Sequence, residues 1–141
     1  MKKIEFIPYQ QTIPLRHQIL RPHQSIDECI YPGDKDPSSV HLGAYSAKDL
    51  VGIVSLYRED KLACGWRLRG MATAESVRGQ GYGKDLVEAC IDFVSKEEVR
   101  GIWCNARTPA CAFYEKLGFS KHGAEFEIQG IGPHYIMTYR E

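Results

Sequence analysis

The chain has 141 residues, with 18 Lys plus Arg against 18 Asp plus Glu, so its formal net charge is zero. A chain of this length reads as one domain, residues 1–141, able to bury about 68–70% of the surface its unfolded form exposes. Balanced charge argues against nucleic acid or a membrane surface as partner, and no apolar run is long enough to span a bilayer.

KIEFIPY reads as an edge strand ended by Pro8, and in the opening MKKIEFIPYQ no signal-peptide core follows the lysines. TIPLRHQILRP predicts a helix capped by Thr12, with Pro14 in its first turn and Pro22 as its stop. SIDECIYPGDKDPSS is turn-rich, and Ser25 and Glu28 have the spacing of a capping box. VHLGAYS and DLVGIVSLYRED predict a hairpin turning at residues 47–49. CGWRLRGMATA is a strand interrupted by Gly70, which predicts a bulge. Leu86, Val87, Cys90, Ile91 and Val94 then recur at helical spacing. GIWCNA is a short buried strand. TPACAFYEKLG is a helix with Thr108 as N-cap, Pro109 at its first position and Gly118 as its stop. FSKHGAEFEI and PHYIMTYR close the chain as strands. The order predicts an α/β fold, a mixed sheet with helices on both faces. The crossovers at 81–98 and 108–117 predict parallel pairing on either side of each helix.

The cysteines, Cys29, Cys64, Cys90, Cys104 and Cys111, are odd in number and form no C-x-x-C pair. That pattern fits reduced thiols in the cytoplasm, buried as small apolar side chains, rather than a disulfide framework or a metal site.

The stretch SVRGQGYGKDL places glycines where a helix begins. A Walker loop fails, because Arg78 stands where its first glycine belongs and Asp85 follows Lys84. The dinucleotide fingerprint fails at Lys84 or Leu86, depending on the starting glycine, and no kinase motif accompanies the loop. What fits is R-x-x-G-x-G on Arg78, Gly81 and Gly83. Free N–H groups at a helix start attract an anion, and Gly79, Gly81 and Gly83 present no Cβ to obstruct a diphosphate. Arg78 and Lys84 add positive charge. A glycine-rich turn with no ligand is the simpler alternative.

MATAESVRGQGYGKDL resembles motif A of the GNAT acetyltransferase superfamily, and NARTPACAFYEKLGF resembles that family's second signature, in the right order and about 30 residues on. The resemblance implies a splayed mixed sheet of six to seven strands and acetyl-CoA as co-substrate. It implies that the backbone of Met71, Ala72 and Thr73 pairs with the pantetheine arm as an added strand would. Arg78, Gly79, Gln80, Gly81, Tyr82, Gly83 and Lys84 would cradle the diphosphate. Asn105 would bond the pantetheine, and Tyr114 would stand beside the thioester sulfur. One departure is TAES, where the family often has Val, a polar residue and Pro.

The implied reaction is direct attack of an amine on a thioester, which needs an oxyanion donor and an acid for the leaving thiolate. A backbone N–H near Ala72 would be the donor and Tyr114 the acid; a phenol of ordinary pKa about 10 can protonate a thiolate near 8.5. Read from helical spacing alone, Tyr114 is a core residue packed with Phe113 and Leu117. Candidate bases are His134, Glu125, Glu127, Asp34 and Asp36. Arg69 and Arg107 are candidates for an acidic group, and Arg69 and His134 stand as candidate acceptor contacts. Cys104 is expected to face away from Asn105, which disfavours an acetyl-cysteine intermediate; Cys111, one turn before Tyr114, is the other thiol to weigh. The expected activity is cytoplasmic N-acetyl transfer to a small molecule or an exposed peptide amine, with a homodimer as an option. The alternative is a non-catalytic acetyl-CoA-binding sensor or interaction module.

Overall fold

The computed structural model describes residues 2–140. Seven strands form one mixed sheet in the order β1-β2-β3-β4-β5-β7-β6. The chain divides into two compact units, Met1–Tyr57 with Leu68–Cys90 and Arg58–Arg67 with Ile91–Glu141. Strands β3 (Asp49–Lys61) and β4 (Cys64–Thr73) and helix α2 (Tyr82–Ser95) contribute to both.

In the first unit β1 (Lys2–Phe6) is an edge strand, antiparallel to β2 (Val40–Ser46), which pairs antiparallel with β3. The expected β2–β3 hairpin forms, and Ala47 takes a left-handed turn conformation at φ 54°. Ile7, Leu15, Ile53 and Ala72 pack as one apolar cluster on one face of the sheet. On the other face Leu86 of α2 closes over Gly52: a Cβ there would come within 2.9 Å of the leucine. Helical segments therefore cover both faces, and Leu86, Val87 and Cys90 are fully buried as their spacing predicted.

The N-terminal helix forms, but irregularly. A 3-10 turn at Tyr9–Thr12 leads into α1 (Ile13–Leu15), and a π turn at Arg16–Leu20 follows. Thr12 does not cap it: its hydroxyl donates to Tyr9 O at 2.6 Å, a bond that competes with capping. The capping box is present, with Glu28 Oε1 accepting from Ser25 N at 2.9 Å and Ser25 Oγ accepting from Glu28 N at 3.3 Å.

In the second unit the parallel register of β4 with β5 (Ile102–Arg107) runs over Trp66↔Ile102 and Arg67↔Trp103, as the first crossover requires. Trp66 meets Phe93 edge to face at 5.5 Å, and Trp103 Nε1 donates to Glu59 O at 2.8 Å. The second crossover departs from expectation. β6 (Ser120–Ile128) follows α3 (Cys111–Lys116) but does not pair with β5. β7 (Gly132–Tyr139) lies between them, antiparallel to both. A hairpin return satisfies both ladders, and local pairing signals carry no information on which edge it takes. Thr108 is not an N-cap either; it begins a 3-10 turn, and its hydroxyl donates to Glu125 Oε2 at 2.7 Å. Gly118 ends α3 as predicted, at φ 99°, with Phe119 N donating to Tyr114 O at 3.1 Å.

Candidate functional site

In the first unit the glycine loop joins β4 to α2. A 3-10 turn at Glu75–Val77 leads into Arg78, and Gly79 and Gly81 take φ 81° and 86°, left-handed values that glycine adopts without strain. The Gly81 carbonyl accepts the first helical bond, from Asp85 N at 3.0 Å. No backbone acceptor is recorded among the described residues for the N–H groups of Gly81, Tyr82, Gly83 and Lys84. They form the donor set of a helix start, where the aligned dipoles favour an anion. The Gln80 N–H differs, because it is bonded to Val77 O at 3.2 Å. Arg78 is exposed and stands 3.9 Å from Glu75.

Lys2 also belongs to this corner, a neighbour that no local signal marks across 78 residues of chain. Its Nζ donates to Gln80 O at 2.5 Å and to Asp85 Oδ2 at 3.2 Å, and lies 4.9 Å from the Tyr82 ring centroid. A Cβ on Gly81 would lie 3.0 Å from that ammonium. A cation thus sits beside the unbonded amides.

Upstream, β4 carries Arg69, Met71, Ala72 and Thr73. Ala72 is buried in the apolar cluster with Ile7 and Leu15, so Met71 and Thr73 point the other way. Gly70 has φ 68°, a left-handed backbone that glycine adopts without strain. A Cβ there would lie 3.2 Å from the Tyr31 ring and 3.5 Å from Arg16 Nε.

Those two neighbours open onto a buried polar network. The Arg16 guanidinium donates to Cys29 O, to both Asp34 oxygens, to Ser55 Oγ and to Tyr57 Oη, all within 2.6–3.1 Å. Asp34 also accepts from Tyr57 Oη at 2.5 Å and from Tyr31 N at 2.7 Å. Burial alone would raise the Asp34 carboxyl; the bonds from Arg16 and Tyr57 outweigh it and hold the group below the ordinary carboxylate range. Asp34 is thereby ruled out as a ready proton acceptor. His41 Nδ1 is 2.7 Å from Ser55 Oγ, and burial pushes its pKa down. Asp36 caps its own turn, accepting from Ser38 N and Oγ.

In the second unit Asn105 and Arg107 share one face of β5. The register places Arg107 opposite His134, and Asn105 opposite Ile136. Asn105 Oδ1 is shielded from solvent and has no hydrogen-bond partner among the described residues. His134 is buried; its Nδ1–H donates to Gly132 O at 2.7 Å, and its ring lies 5.9 Å from Phe126. Glu125 is engaged by Thr108, and Glu127 is exposed. Cys104 points away from Asn105, as alternation predicted, and burial pushes its thiol up to about 12. Burial also raises Cys111.

Tyr114 is 7% exposed and meets Phe113 at 5.1 Å and Phe119 at 5.3 Å, both edge to face. Phe119 continues to Tyr139, which shares a face with Ile102 and Cys104. Tyr114 and Asn105 are therefore not gathered on one face of β5.

The family model described as "Acetyltransferase (GNAT) domain" matches residues 9–140. The chain is 38% identical over 141 residues to YitI of Bacillus subtilis (strain 168), described as an uncharacterized N-acetyltransferase, covering 97% of this chain and 95% of that one. Among solved structures it is similar to Escherichia coli ElaA, with a TM-score of 0.82 at 16% identity over 99% of this chain and 100% of that one. It is also similar to an aminoglycoside 6'-N-acetyltransferase complexed with coenzyme A, with a TM-score of 0.78 at 16% identity over 96% and 95% of the two chains.

Proposed function

From the premise that this chain belongs to the GNAT acetyltransferases, and is an acyltransferase with acetyl-CoA as co-substrate, we propose that it moves an acetyl group directly onto the amine of a small molecule or an exposed peptide. The observation that carries this reading is the run of unbonded N–H groups at the start of α2, at Gly81 through Lys84, with Lys2 beside them. The residues present fit the co-substrate. A diphosphate is met by amides, a helix dipole and cations, and the unpartnered Asn105 Oδ1 is an acceptor for an amide N–H such as pantetheine carries.

Bound acetyl-CoA supplies an acyl group already activated as a thioester. The protein's part is placement and charge. The backbone of Met71, Ala72 and Thr73 would hold the pantetheine as an added strand would, and an N–H near Ala72 would be the donor for the oxyanion. Tyr114 would be the acid that supplies a proton to the leaving thiolate. Direct attack is favoured over an acetyl-cysteine, since burial keeps both Cys104 and Cys111 as thiols. Residues 1–141 would serve as one acetyltransferase domain. Among the described residues no helix is long and apolar enough to cross a membrane.

The test is thermal stabilisation by acetyl-CoA, followed by thiol release with a panel of amines. Stabilisation with amine-dependent thiol release is the expected result. Absence of stabilisation would remove the proposal, and stabilisation with no turnover on any amine would favour a sensor.

A further inference from the structure

The guanidinium groups of three arginines converge on one tyrosine ring in the first unit. Arg16 Cζ lies 4.0 Å from the Tyr31 ring centroid, Arg69 Cζ 4.4 Å and Arg21 Cζ 5.1 Å. An aromatic face holds cations, but mutual repulsion makes such a cluster costly unless negative charge meets it. Asp34 supplies one such charge, and it is bonded to Arg16 at the buried end. Arg21 and Arg69 are half-buried on the side nearer solvent. Arg21 spends Nε on the Tyr31 hydroxyl and Nη1 on Gln24 Oε1; no acceptor for its Nη2 is recorded among the described residues. Beneath them Arg16, 0% exposed, keeps an Nε with no partner among the described residues.

The cluster stands against the strand of acyl transfer. Gly70 presses on Tyr31 and lies two positions before Ala72, about 7 Å along a strand. Resting on the acetyltransferase reading above, we propose that this cluster recognises the acceptor, and that the acceptor is an amine also carrying an anionic oxygen group, a carboxylate or a phosphate. The guanidinium fork matches the oxygens of both. Polycationic amines are disfavoured at the same place, because each added ammonium meets arginine charge at short range. The Arg16–Asp34 pair is the positioning element: it fixes Tyr31 through the Tyr31 N–H bond to Asp34, and Arg21 Nη2 is the donor turned to the acceptor's anionic group.

The experiment compares matched acceptors with acetyl-CoA and the full chain. 4-Aminobutyrate is set against 4-aminobutanamide, phosphoethanolamine against ethanolamine, and spermidine represents the polycations. At least one acid is expected to exceed its neutral partner by about tenfold or more in kcat/KM, and the arm that responds identifies the group. Arg21→Gln and Arg69→Gln should shrink that ratio through KM, while acetyl-CoA still stabilises both variants. Equal turnover of acid and neutral partner, or preference for spermidine, would overturn the proposal. Silence on the whole panel, with acetyl-CoA still stabilising the protein, would also overturn it and leave the acetyltransferase reading standing. Loss of acetyl-CoA stabilisation in the unaltered protein would instead sink that reading.

Discussion

Arg16 and Asp34 form a bidentate ion pair, Nη1 to Oδ2 at 2.6 Å and Nη2 to Oδ1 at 3.1 Å, and neither side chain is exposed to solvent. Two charges so deep are tolerated because nearly every donor and lone pair is met, by Cys29 O, Ser55, Tyr57 and the Tyr31 amide. Removing one partner leaves the other charged and dry. Asp34→Ala is expected to destabilise the protein by about 3–5 kcal/mol in urea unfolding. Replacing both, as Arg16→Met with Asp34→Leu, should cost clearly less than the sum of the single changes. Additive losses would mean that the two residues are not coupled.

The same network sets an acid sensitivity. Burial lowers the His41 pKa in the folded state, so the unfolded chain takes up its proton first as pH falls below about 6.5. Stability from neutral His41 is thus complete above that value and is lost as pH falls through the folded pKa. Asp34, also lowered, adds a second loss beginning below about pH 3.9. The urea midpoint should decrease between about pH 8 and pH 5.5, and His41→Gln should flatten that decrease. An unchanged slope in the variant would exclude His41 as its source.

Gly81→Glu is expected to abolish stabilisation by acetyl-CoA. The change forces a side chain into a left-handed backbone at φ 86° and sets a carboxylate where an anion should bind. Gly79→Ala imposes comparable backbone strain, at φ 81°, but adds no charge and its Cβ would meet nothing within 4 Å, so it is the control for strain alone and should bind detectably. Affinity unaltered by Gly81→Glu would count against the loop as the diphosphate site.

Asn105→Ala separates holding the fold from holding the co-substrate. Its Oδ1 is buried without a partner, so deleting it removes no hydrogen bond made by that oxygen in the free protein. The unliganded melting temperature should hold within a degree or two, while the shift caused by acetyl-CoA shrinks. A large drop in the free protein with an intact acetyl-CoA shift would assign Asn105 to structure alone.

Tyr114→Phe keeps the ring contacts with Phe113 and Phe119 and deletes the hydroxyl. If that hydroxyl protonates the leaving sulfur, kcat should fall by about 10²-fold or more with acetyl-CoA affinity little changed. Undiminished kcat would leave Tyr114 as packing.

Much of the architecture was legible because its signals are local. The helical spacing of Leu86, Val87, Cys90 and Val94, the Ser25–Glu28 box and the Gly118 stop each depend on neighbours a few residues apart. Thr12 and Thr108 misled because a hydroxyl can bond an earlier carbonyl or a distant carboxylate as readily as a helix amide. The buried network was illegible because it draws on residues 16, 34, 41, 55 and 57, and Asp34 resembles any turn acid until Arg16 stands beside it. A faint signal existed: Arg16 interrupts the apolar residues Ile13, Leu15, Ile19 and Leu20, and Ser55 interrupts the apolar run from Leu50 to Leu56, with Tyr57 just after it. Lys2 at the glycine loop had no signal of this kind.

The seating of β7 between β5 and β6 has a consequence for biosynthesis. β7 is the last of the seven strands to leave the ribosome, yet it is an interior one. Until it emerges, β5 and β6 each expose a raw edge where it will sit, and such edges invite pairing with other nascent chains. The short turn at residues 129–131, closed by Ile131 N donating to Ile128 O at 2.9 Å, limits that exposure by delivering β7 directly after β6.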